Sequence, residues 1–313
     1  MLASDRQSAK DKAKNRRPYF EKIRVKNCTE KVAQNNRRQK KEGDFFFLDF
    51  KGLGIGQDYQ DVYREMEEVF VKKKACDEVG FAGDVRRFAA DISEEDLLAE
   101  IEKINSDETI DGLIVQLPLP KHISEEKVTQ AILPGKDVDG FHDINMGKLA
   151  KGDETGVKPA TPYGITLLMK HYGIEASGKH VVVVGRSNIV GRPMSMLLSA
   201  AAPYGNATVT LCHSRTKDLA SFTRMADILV VALGKPGFVT ADMVKDGAVI
   251  IDVGTTRVDD ATRKSGWRLR GDVDYDAVLD KVSAITPVPK GVGPMTITGL
   301  MMNTLEVYKA KFA

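Results

Sequence analysis

The segment VVVVGRSNIVGRP, residues 181–193, decides the fold class. Its four consecutive valines are typical of a strand buried on both faces of a parallel sheet. A turn bounded by Gly185 and Gly191 follows, and a helix is expected from about Pro193 to Ala201. Free backbone amides at the start of such a helix bind a pyrophosphate group, and the helix dipole favours its negative charge. The segment therefore predicts the first strand, turn and helix of a dinucleotide-binding fold.

The next strands extend this pattern into a doubly wound unit with a parallel sheet. Apolar strands are expected at 207–212, 226–233 and 248–253, separated by short helices or loops. The spacing from Gly185 to Gly191 differs from the usual G-x-G-x-x-G motif of dinucleotide-binding turns. The alternative interpretation is an ordinary turn between strand and helix, in which glycine is needed only for the backbone geometry. The position of the turn at the first strand of the unit favours the dinucleotide site.

The end of the second strand indicates which dinucleotide binds. Many NAD enzymes have an acidic residue there, which holds the ribose 2′-hydroxyl. This chain has Ser214 and Arg215 instead, and both can hydrogen-bond a 2′-phosphate that a carboxylate would repel. Arg186 in the glycine turn is a second candidate for this contact. The alternative interpretation is a solvated turn with a surface arginine. We predict that the cofactor is NADP and not NAD.

The chain upstream predicts a second α/β region. Ser93 begins a helix, with Asp96 at the capping-box spacing, and residues 112–117 form a short apolar strand. Thr161 followed by Pro162 has the pattern of an N-cap and first helical turn. Further helices are expected at 62–79, 124–133, 161–173 and 299–311.

Charge and composition narrow the class of protein. The 313 residues carry a net charge of +2, but residues 1–41 alone hold 14 Lys/Arg against 4 Asp/Glu, so the rest of the chain is mildly acidic. This balance does not predict a nucleic-acid partner, and no stretch approaches the roughly 18 apolar residues of a membrane span. The three cysteines are far apart, so neither a disulfide framework nor a metal site is expected. A solvated basic tail or an organellar transit peptide are the two interpretations of residues 1–41.

Three segments outside the dinucleotide unit are unusual in composition: DGLIVQLPLP at 111–120, KDVDGF at 136–141 and PVPKGVGPMT at 287–296. Gln116 stands at a rigid strand exit before two prolines, which suits a fixed hydrogen bond. Asp139 precedes a glycine and is a candidate to face a ligand. An ordinary strand end, an Asx turn and a Pro/Gly loop are the alternatives.

Together these segments closely resemble the bifunctional methylenetetrahydrofolate dehydrogenase/methenyltetrahydrofolate cyclohydrolase family. The resemblance runs from about residue 72 to the C-terminus. It implies an α/β fold in which a folate-binding catalytic domain and a Rossmann-like, doubly wound NADP-binding domain flank a cleft. The catalytic domain would comprise residues 1–140, closed by the C-terminal helix 297–313, and the NADP domain residues 141–296. The motifs that carry the resemblance are KACDEVGF, TIDGLIVQLPLP, PGKDVDGFH, KPATPYGI, VVVVGRSNIVGRPMSMLL, HSRT, ADILVVALGKPGF, GAVIIDVG and GVGPMT.

The resemblance also implies an activity and a set of site residues. The enzyme would oxidise 5,10-methylenetetrahydrofolate with NADP and hydrolyse the 5,10-methenyltetrahydrofolate product to 10-formyltetrahydrofolate, as a cytoplasmic homodimer, or in an organelle if residues 1–41 are a transit peptide. Lys72 is similar to the catalytic lysine, Gln116 to the glutamine that tunes it, and Asp139 to the carboxylate that anchors the pterin ring. Cofactor positions are Gly185, Arg186, Ser187, Ser214 and Thr255, and substrate positions are Gln116, Leu117, Pro118, Asp139, Gly291, Gly293 and Pro294.

The chain departs from the family pattern near its catalytic lysine. Glu68 stands where the family has a tyrosine if Lys72 is aligned without a gap, whereas a two-residue gap would select Lys74. Lys290 replaces a glycine. A dehydrogenase-only or non-catalytic NADP-binding relative is therefore the alternative function. A Rossmann oxidoreductase similar to shikimate dehydrogenase is a further rival, which the VQLPLP and GVGPMT segments oppose.

Overall fold

The computed structural model describes residues 44–51 and 71–312. The basic segment 1–41, Glu68 and the first part of the helix expected at 62–79 lie outside these residues. The described residues form two compact units. One unit comprises Ile165–Met295, and the other comprises the described residues up to Gly164 together with 296–312. The functional domain boundary placed at residue 140 stays a prediction.

The unit Ile165–Met295 contains a parallel sheet of five strands in the order β10-β7-β6-β4-β5. Strand β4 pairs with β5 on one side and with β6 on the other, so the strand order reverses there. Ligands of doubly wound folds bind at the carboxyl edge beside such a reversal. The strands are β4 His180–Val184, β5 Thr208–Cys212, β6 Ile228–Val231, β7 Val249–Asp252 and β10 Ala284–Ile285.

Short helices connect these strands. An antiparallel hairpin lies between β7 and β10 in the chain. The expected helix after the glycine turn is present as α6, and it begins at Gly191, two residues before Pro193. The antiparallel hairpin β8–β9 was not expected from the sequence. The elements are α6 Gly191–Ser199, α7 Leu219–Thr223, a 3-10 helix Ala241–Met243, β8 Thr256–Asp259, β9 Trp267–Arg270 and α8 Tyr275–Val278.

The other unit is built on a parallel sheet of three strands in the order β2-β1-β3. Only β3 was expected from the sequence. Residues 45–48 stand out as apolar, but the glycines after them hide the strand from a periodicity argument. The strands are β1 Asp44–Lys51, β2 Ala82–Ala89 and β3 Ile110–Val115. The helices are α1 at 71–79, α2 Glu94–Ser106, α3 Glu125–Ala131, α4 Asp143–Lys151, α5 Ala160–His171 and, from residue 296 onward, α9 Val292–Ala310.

Strand β3 is buried on both faces, which explains its continuous apolar run. Ile114 packs with Cys76 of α1 and Met301 of α9. The neighbouring Leu113 packs in a separate cluster with Ile101 of α2. Because successive side chains of a strand point to opposite faces, α1 and α9 cover one face of β3 and α2 covers the other. This packing fixes the end of β3, from which Gln116 follows.

Two helix starts differ from the prediction. Thr161 is not the N-cap of α5, because the helix already begins at Ala160 and the Thr161 hydroxyl lies 3.0 Å from the Thr296 hydroxyl. The last helix begins at Val292 instead of Gly299. Pro294 is compatible with a first helical turn, where the missing N–H has no intrahelical partner. Gly299 is retained inside α9 because a Cβ there would lie 2.3 Å from the Ala160 carbonyl oxygen.

Candidate functional site

Lys72 and Gln116 form the centre of the candidate site in the unit that contains β3. The Lys72 ammonium, on α1, donates a hydrogen bond to Gln116 Oε1 at 2.8 Å. Gln116 Nε2 donates in turn to the Leu117 carbonyl at 3.0 Å, which sets the orientation of the amide. The side-chain oxygen of Gln116 is therefore the atom held toward the lysine.

The two lysines that follow Lys72 form ion pairs with acidic residues of α1 instead of contacting Gln116. Lys73 pairs with Asp77 at 3.6 Å, and Lys74 pairs with Glu78 at 4.0 Å, each one helical turn further along α1. The Lys74 side chain is 64% exposed, whereas Lys72 is half-buried. The helix geometry thus directs Lys72, and not Lys74, to Gln116.

Asp139 lies within electrostatic reach of Lys72. Burial raises the pKa of the Asp139 carboxyl to about 6, the Lys72 ammonium opposes this rise, and the nearby charge of Asp137 adds to it. No described residue donates a hydrogen bond to this carboxylate. The structure therefore brings together the three residues predicted to be catalytic, and no described donor occupies the acceptor oxygens of Asp139.

The backbone around Asp139 is held by buried polar groups that sequence reasoning missed. Asp137 accepts hydrogen bonds from the amides of Gly140 at 3.0 Å and His142 at 2.8 Å. Asn303 of α9 donates from its Nδ2 to the carbonyls of Val138 at 2.8 Å and Lys158 at 2.7 Å. The Asp137 contacts are local, but the Asn303 contacts join residues far apart in the chain, so no local pattern signals them.

The glycine turn of the other unit requires both of its glycines. Gly185 has a φ of +124°, and a Cβ on it would lie 2.2 Å from the Ala232 carbonyl oxygen. A Cβ on Gly191 would lie 1.9 Å from the Gly185 carbonyl oxygen. Helix α6 can begin this close to the end of β4 only with glycine at both positions. Residues 186–189 remain exposed between them, as a phosphate-binding turn requires.

The turn after β5 presents hydrogen-bond donors and no carboxylate. The His213 amide donates to the Thr216 hydroxyl at 2.9 Å, and the Thr216 amide donates to the His213 carbonyl at 2.8 Å. Ser214 and Arg215 lie exposed at the tip of this turn. The first carboxylate after this turn is Asp218, which caps α7 by accepting a hydrogen bond from the Ser221 amide at 3.3 Å.

A buried pair of carboxylates lies behind the loops that follow β6 and β7. Asp272, which is fully buried, accepts hydrogen bonds from three consecutive amides in the loop after β6. Asp252, at the end of β7, accepts from the Asp272 amide at 3.0 Å. Burial raises the pKa of Asp252 to about 6; backbone hydrogen bonds oppose this rise and the charge of Asp272 adds to it. Asp252 belongs to the GAVIIDVG motif, but nothing in that motif indicates that its carboxylate is buried against the backbone of Asp272.

The remaining candidates occupy the loops at the carboxyl edge of the five-stranded sheet and the start of α9. Thr255 is exposed directly after Gly254. Gly291 is buried, Gly293 is exposed and Pro294 is half-buried. Lys290 is exposed with a φ of +80°, a conformation that favours glycine.

The fold and these residues define a class of protein, the doubly wound α/β enzymes that bind a dinucleotide. Two family models match successive parts of the chain. The tetrahydrofolate dehydrogenase/cyclohydrolase catalytic domain matches residues 54–139, and the NAD(P)-binding domain of the same family matches residues 159–312. The first match begins upstream of residue 72, so the family sequence extends further toward the N-terminus than the quoted motifs.

Curated relatives and solved structures agree with these matches. The chain is 59% identical over 243 residues to the bifunctional protein FolD of Cytophaga hutchinsonii, covering 78% of this chain and 83% of the relative. It is 56% identical over 241 residues to FolD of Porphyromonas gingivalis, covering 77% and 81%. The bifunctional FolD dehydrogenase/cyclohydrolase structure from Campylobacter jejuni has a TM-score of 0.82 and 40% identity, covering 92% and 96%. The Trypanosoma brucei enzyme, solved with NADP and an inhibitor, has a TM-score of 0.80 and 36% identity, covering 92% and 94%.

The chain belongs to the tetrahydrofolate dehydrogenase/cyclohydrolase family. The predictions of this family, of an α/β fold with a doubly wound parallel sheet, and of an enzyme that uses a nicotinamide dinucleotide are confirmed. No helix in the described part of the chain is long and apolar enough to cross a membrane.

Proposed function

We propose that this chain catalyses two consecutive reactions on one folate substrate. It oxidises 5,10-methylenetetrahydrofolate to 5,10-methenyltetrahydrofolate with NADP, and it hydrolyses the product to 10-formyltetrahydrofolate. The observation that carries this proposal is the hydrogen bond of Lys72 to Gln116 with Asp139 in electrostatic reach. These side chains lie in the region that matches the catalytic domain of the family.

Asp139 binds the pterin ring of the substrate in this proposal. A pterin presents several N–H donors on one edge, and the Asp139 carboxylate, to which no described residue donates, offers two acceptor oxygens to them. Charge-assisted hydrogen bonds of this kind are the strong ones. Gln116, Leu117, Pro118, Gly291, Gly293 and Pro294 are the other proposed substrate contacts.

Lys72 acts in the hydrolytic step. Water adds to the carbon of the one-carbon bridge, one carbon–nitrogen bond breaks, and the released nitrogen ends with a proton. A group near the bridge must therefore accept a proton from water, which is general acid–base catalysis. Gln116 holds the lysine nitrogen in a fixed position for this proton transfer, since its own amide is oriented by the Leu117 carbonyl.

The cofactor is NADP, which accepts a hydride from the substrate when it is bound. The residues present fit this group. Gly185 and Gly191 leave the start of α6 open to a pyrophosphate, and Ser187 lies exposed in that turn. Arg186 and Ser214 are proposed to bind the 2′-phosphate, because no carboxylate occupies the turn after β5. Thr255 is proposed to lie against the other end of the cofactor.

The dehydrogenase-only and non-catalytic alternatives make different experimental predictions. Purified protein is mixed with methylenetetrahydrofolate and either NADP or NAD, and the absorbance of NADPH and methenyltetrahydrofolate is followed. Hydrolysis is measured separately as the loss of added methenyltetrahydrofolate. Oxidation with NADP together with hydrolysis of the added methenyltetrahydrofolate supports the proposal. Oxidation without hydrolysis would select the dehydrogenase-only form, and cofactor binding without turnover the non-catalytic form.

The proposal extends to assembly and location. The resemblance implies two copies of the chain in a homodimer, which analytical ultracentrifugation measures directly. Placement in the cytoplasm also stays a prediction, and fusion of residues 1–41 to a fluorescent protein tests the organellar alternative. Import of the fusion into an organelle would overturn the cytoplasmic assignment.

A further inference from the structure

Three consecutive backbone amides in the loop after β6 point at one carboxylate. Leu233 N donates to Asp272 Oδ2 at 2.5 Å, Gly234 N to the same oxygen at 2.9 Å, and Lys235 N to Oδ1 at 2.6 Å. Successive amides in such a loop commonly form a concavity that binds an anion. Here the anion is supplied by the protein itself, so the shape of the loop is set before any ligand arrives.

Asp252 extends this arrangement to the loop after β7. Its Oδ1 accepts from the Gly254 amide and from the Asp272 amide, each at 3.0 Å, and its Oδ2 accepts from the Val273 amide at 3.0 Å. Asp252 thus holds the backbone that carries Asp272 and also the residue that precedes Thr255. Both carboxylates are at most 2% exposed.

The glycines around the two carboxylates show how closely the segments pack. A Cβ on Gly254 would lie 2.4 Å from Asp272 Cγ, and a Cβ on Gly271 would lie 2.0 Å from Asp252 Oδ2. Neither position has room for a side chain. The loops after β6 and β7 are therefore fixed relative to each other through the Asp252–Asp272 pair.

The place of this pair in the sheet connects it to one half of the cofactor. The glycine turn and the Ser214 turn follow β4 and β5, on one side of the strand-order reversal. The loops held by Asp272 and Asp252 follow β6 and β7, on the other side. A dinucleotide lies across this reversal, with its adenosine half on one side and its nicotinamide half on the other.

We propose that Asp252 and Asp272 are positioning residues for the nicotinamide half of the dinucleotide. Neither carboxylate touches the ligand in this proposal. Each carboxylate shapes a loop, and the exposed backbone of that loop contacts the ligand. The inference rests on the proposed function, because it assumes that a nicotinamide dinucleotide binds at this edge.

The test compares a whole cofactor with its adenosine half. Asp272→Asn keeps the shape of the side chain and removes the charge that three amides share. The dissociation constant for NADP should rise about tenfold or more, since a charge-assisted hydrogen bond is roughly twice as strong as a neutral one. The dissociation constant for adenosine 2′,5′-bisphosphate should change by less than about twofold, because that probe reaches only the β4 and β5 turns. The KM for methylenetetrahydrofolate should also stay within that range.

Asp227→Asn is the matched control. Asp227 accepts a hydrogen bond from the His180 amide at 2.9 Å and pairs with Lys245 at 2.6 Å, but it precedes β6 and so lies at the opposite edge of the same sheet. Its substitution should leave both dissociation constants unchanged. A parallel loss of both ligands in Asp272→Asn would indicate general damage to the unit and overturn the proposal, as would unchanged NADP binding.

A second variant keeps the test decisive if Asp272→Asn does not fold. Asp252→Asn is then measured against the same two ligands, with the same selective loss of NADP expected. If neither variant folds, the pair serves folding alone and the proposal is wrong. Failure of the wild-type protein to bind NADP at all would instead contradict the proposed function, so the two failures are distinguishable.

Discussion

The ammonium of Lys72 and the side-chain oxygen of Gln116 lie 2.8 Å apart, although 44 residues separate them in the chain. One residue stands on α1 and the other directly after β3, and the packing of Cys76 and Ile114 into one cluster holds these elements together. The contact distinguishes Lys72 from its two neighbouring lysines more clearly than the sequence alignment does.

The first prediction concerns that distinction. Lys72→Met should lower the rate of methenyltetrahydrofolate hydrolysis by about 100-fold or more, because general acid–base groups contribute about that much. Lys74→Met should leave the rate within about twofold, since Lys74 is exposed and paired with Glu78. The decay of the methenyl absorbance measures both. Full activity in Lys72→Met with loss in Lys74→Met would show that the gapped alignment is right.

The second prediction uses the raised pKa of Asp139, about 6, which burial causes. Above this pH the carboxylate is charged and accepts pterin N–H groups, and below it the proton removes part of that capacity. Affinity for folic acid should therefore fall as the pH is lowered from about 8 to about 5. Asp139→Asn should bind folic acid weakly and without this pH dependence. Titration calorimetry at several pH values measures both effects.

Stability gives the control for the same substitution. The folded-state pKa lies above the unfolded one, so the folded protein binds the proton more tightly between about pH 4 and pH 6. Ionisation of Asp139 therefore lowers the free energy of unfolding as the pH rises through this window. Asp139→Asn should gain on the order of 1 kcal/mol over the wild type near neutral pH and less at about pH 4. A loss of stability at neutral pH would mean that the carboxylate has a structural partner.

The dinucleotide unit could be predicted from the sequence because its signals are local. Residues 181–193 contain a buried strand, a glycine turn and a helix start in one continuous run, and the packing of Gly185 and Gly191 explains their identity. The capping pattern of Ser93 and Asp96 is equally local, and the structure contains it, with the Asp96 amide 3.0 Å from the Ser93 hydroxyl. Such features are determined by neighbours in sequence.

The features that were missed depend on distant partners. Strand β1 exists through its pairing with β2 and β3, and its apolar run is interpretable only once those strands are known. Asp272 looks like an ordinary polar residue until three amides of another loop are placed around it. Asn303 lies in an apolar helix, and its partners are 145 and 165 residues away.

The third prediction concerns cofactor choice. Arg186→Ala should weaken NADP binding about 10-fold or more, the equivalent of about 1.5 kcal/mol for one charge-assisted hydrogen bond. NAD binding should be unchanged, because NAD lacks the 2′-phosphate. Ser214→Ala should weaken NADP binding to a lesser degree. Arg263→Ala, which removes an exposed arginine of the β8–β9 connection, serves as the control. Equal affinity of the wild-type protein for NAD and NADP would contradict the assignment of these residues.

The last prediction concerns Asn303, whose Nδ2 joins the carbonyls of Val138 and Lys158 on either side of the Asp139 region. Its own Oδ1 is buried and has no hydrogen-bond partner among the described residues, so the two donations from Nδ2 are the hydrogen bonds of this side chain there. Asn303→Leu should reduce the free energy of unfolding by about 1–3 kcal/mol, since two buried carbonyls lose their donor. It should also weaken folic acid binding about tenfold, because Asp139 is no longer held in place.

Asn105→Leu separates these two effects. Asn105 is also buried in the same unit and also bridges two backbone groups, donating to the Ala131 carbonyl at 2.7 Å and accepting from the Leu133 amide at 3.1 Å. Its partners lie at the end of α3, eight and six residues before Asp139, and they are not the carbonyls that flank Asp139. Its substitution should therefore lower stability by a similar amount while folic acid affinity stays within about twofold. Urea unfolding and calorimetric titration of both variants give the comparison. If affinity fell equally in the two variants, Asn303 would act only through the stability of the unit, and if it fell in neither, the backbone around Asp139 would not need this support to bind the pterin.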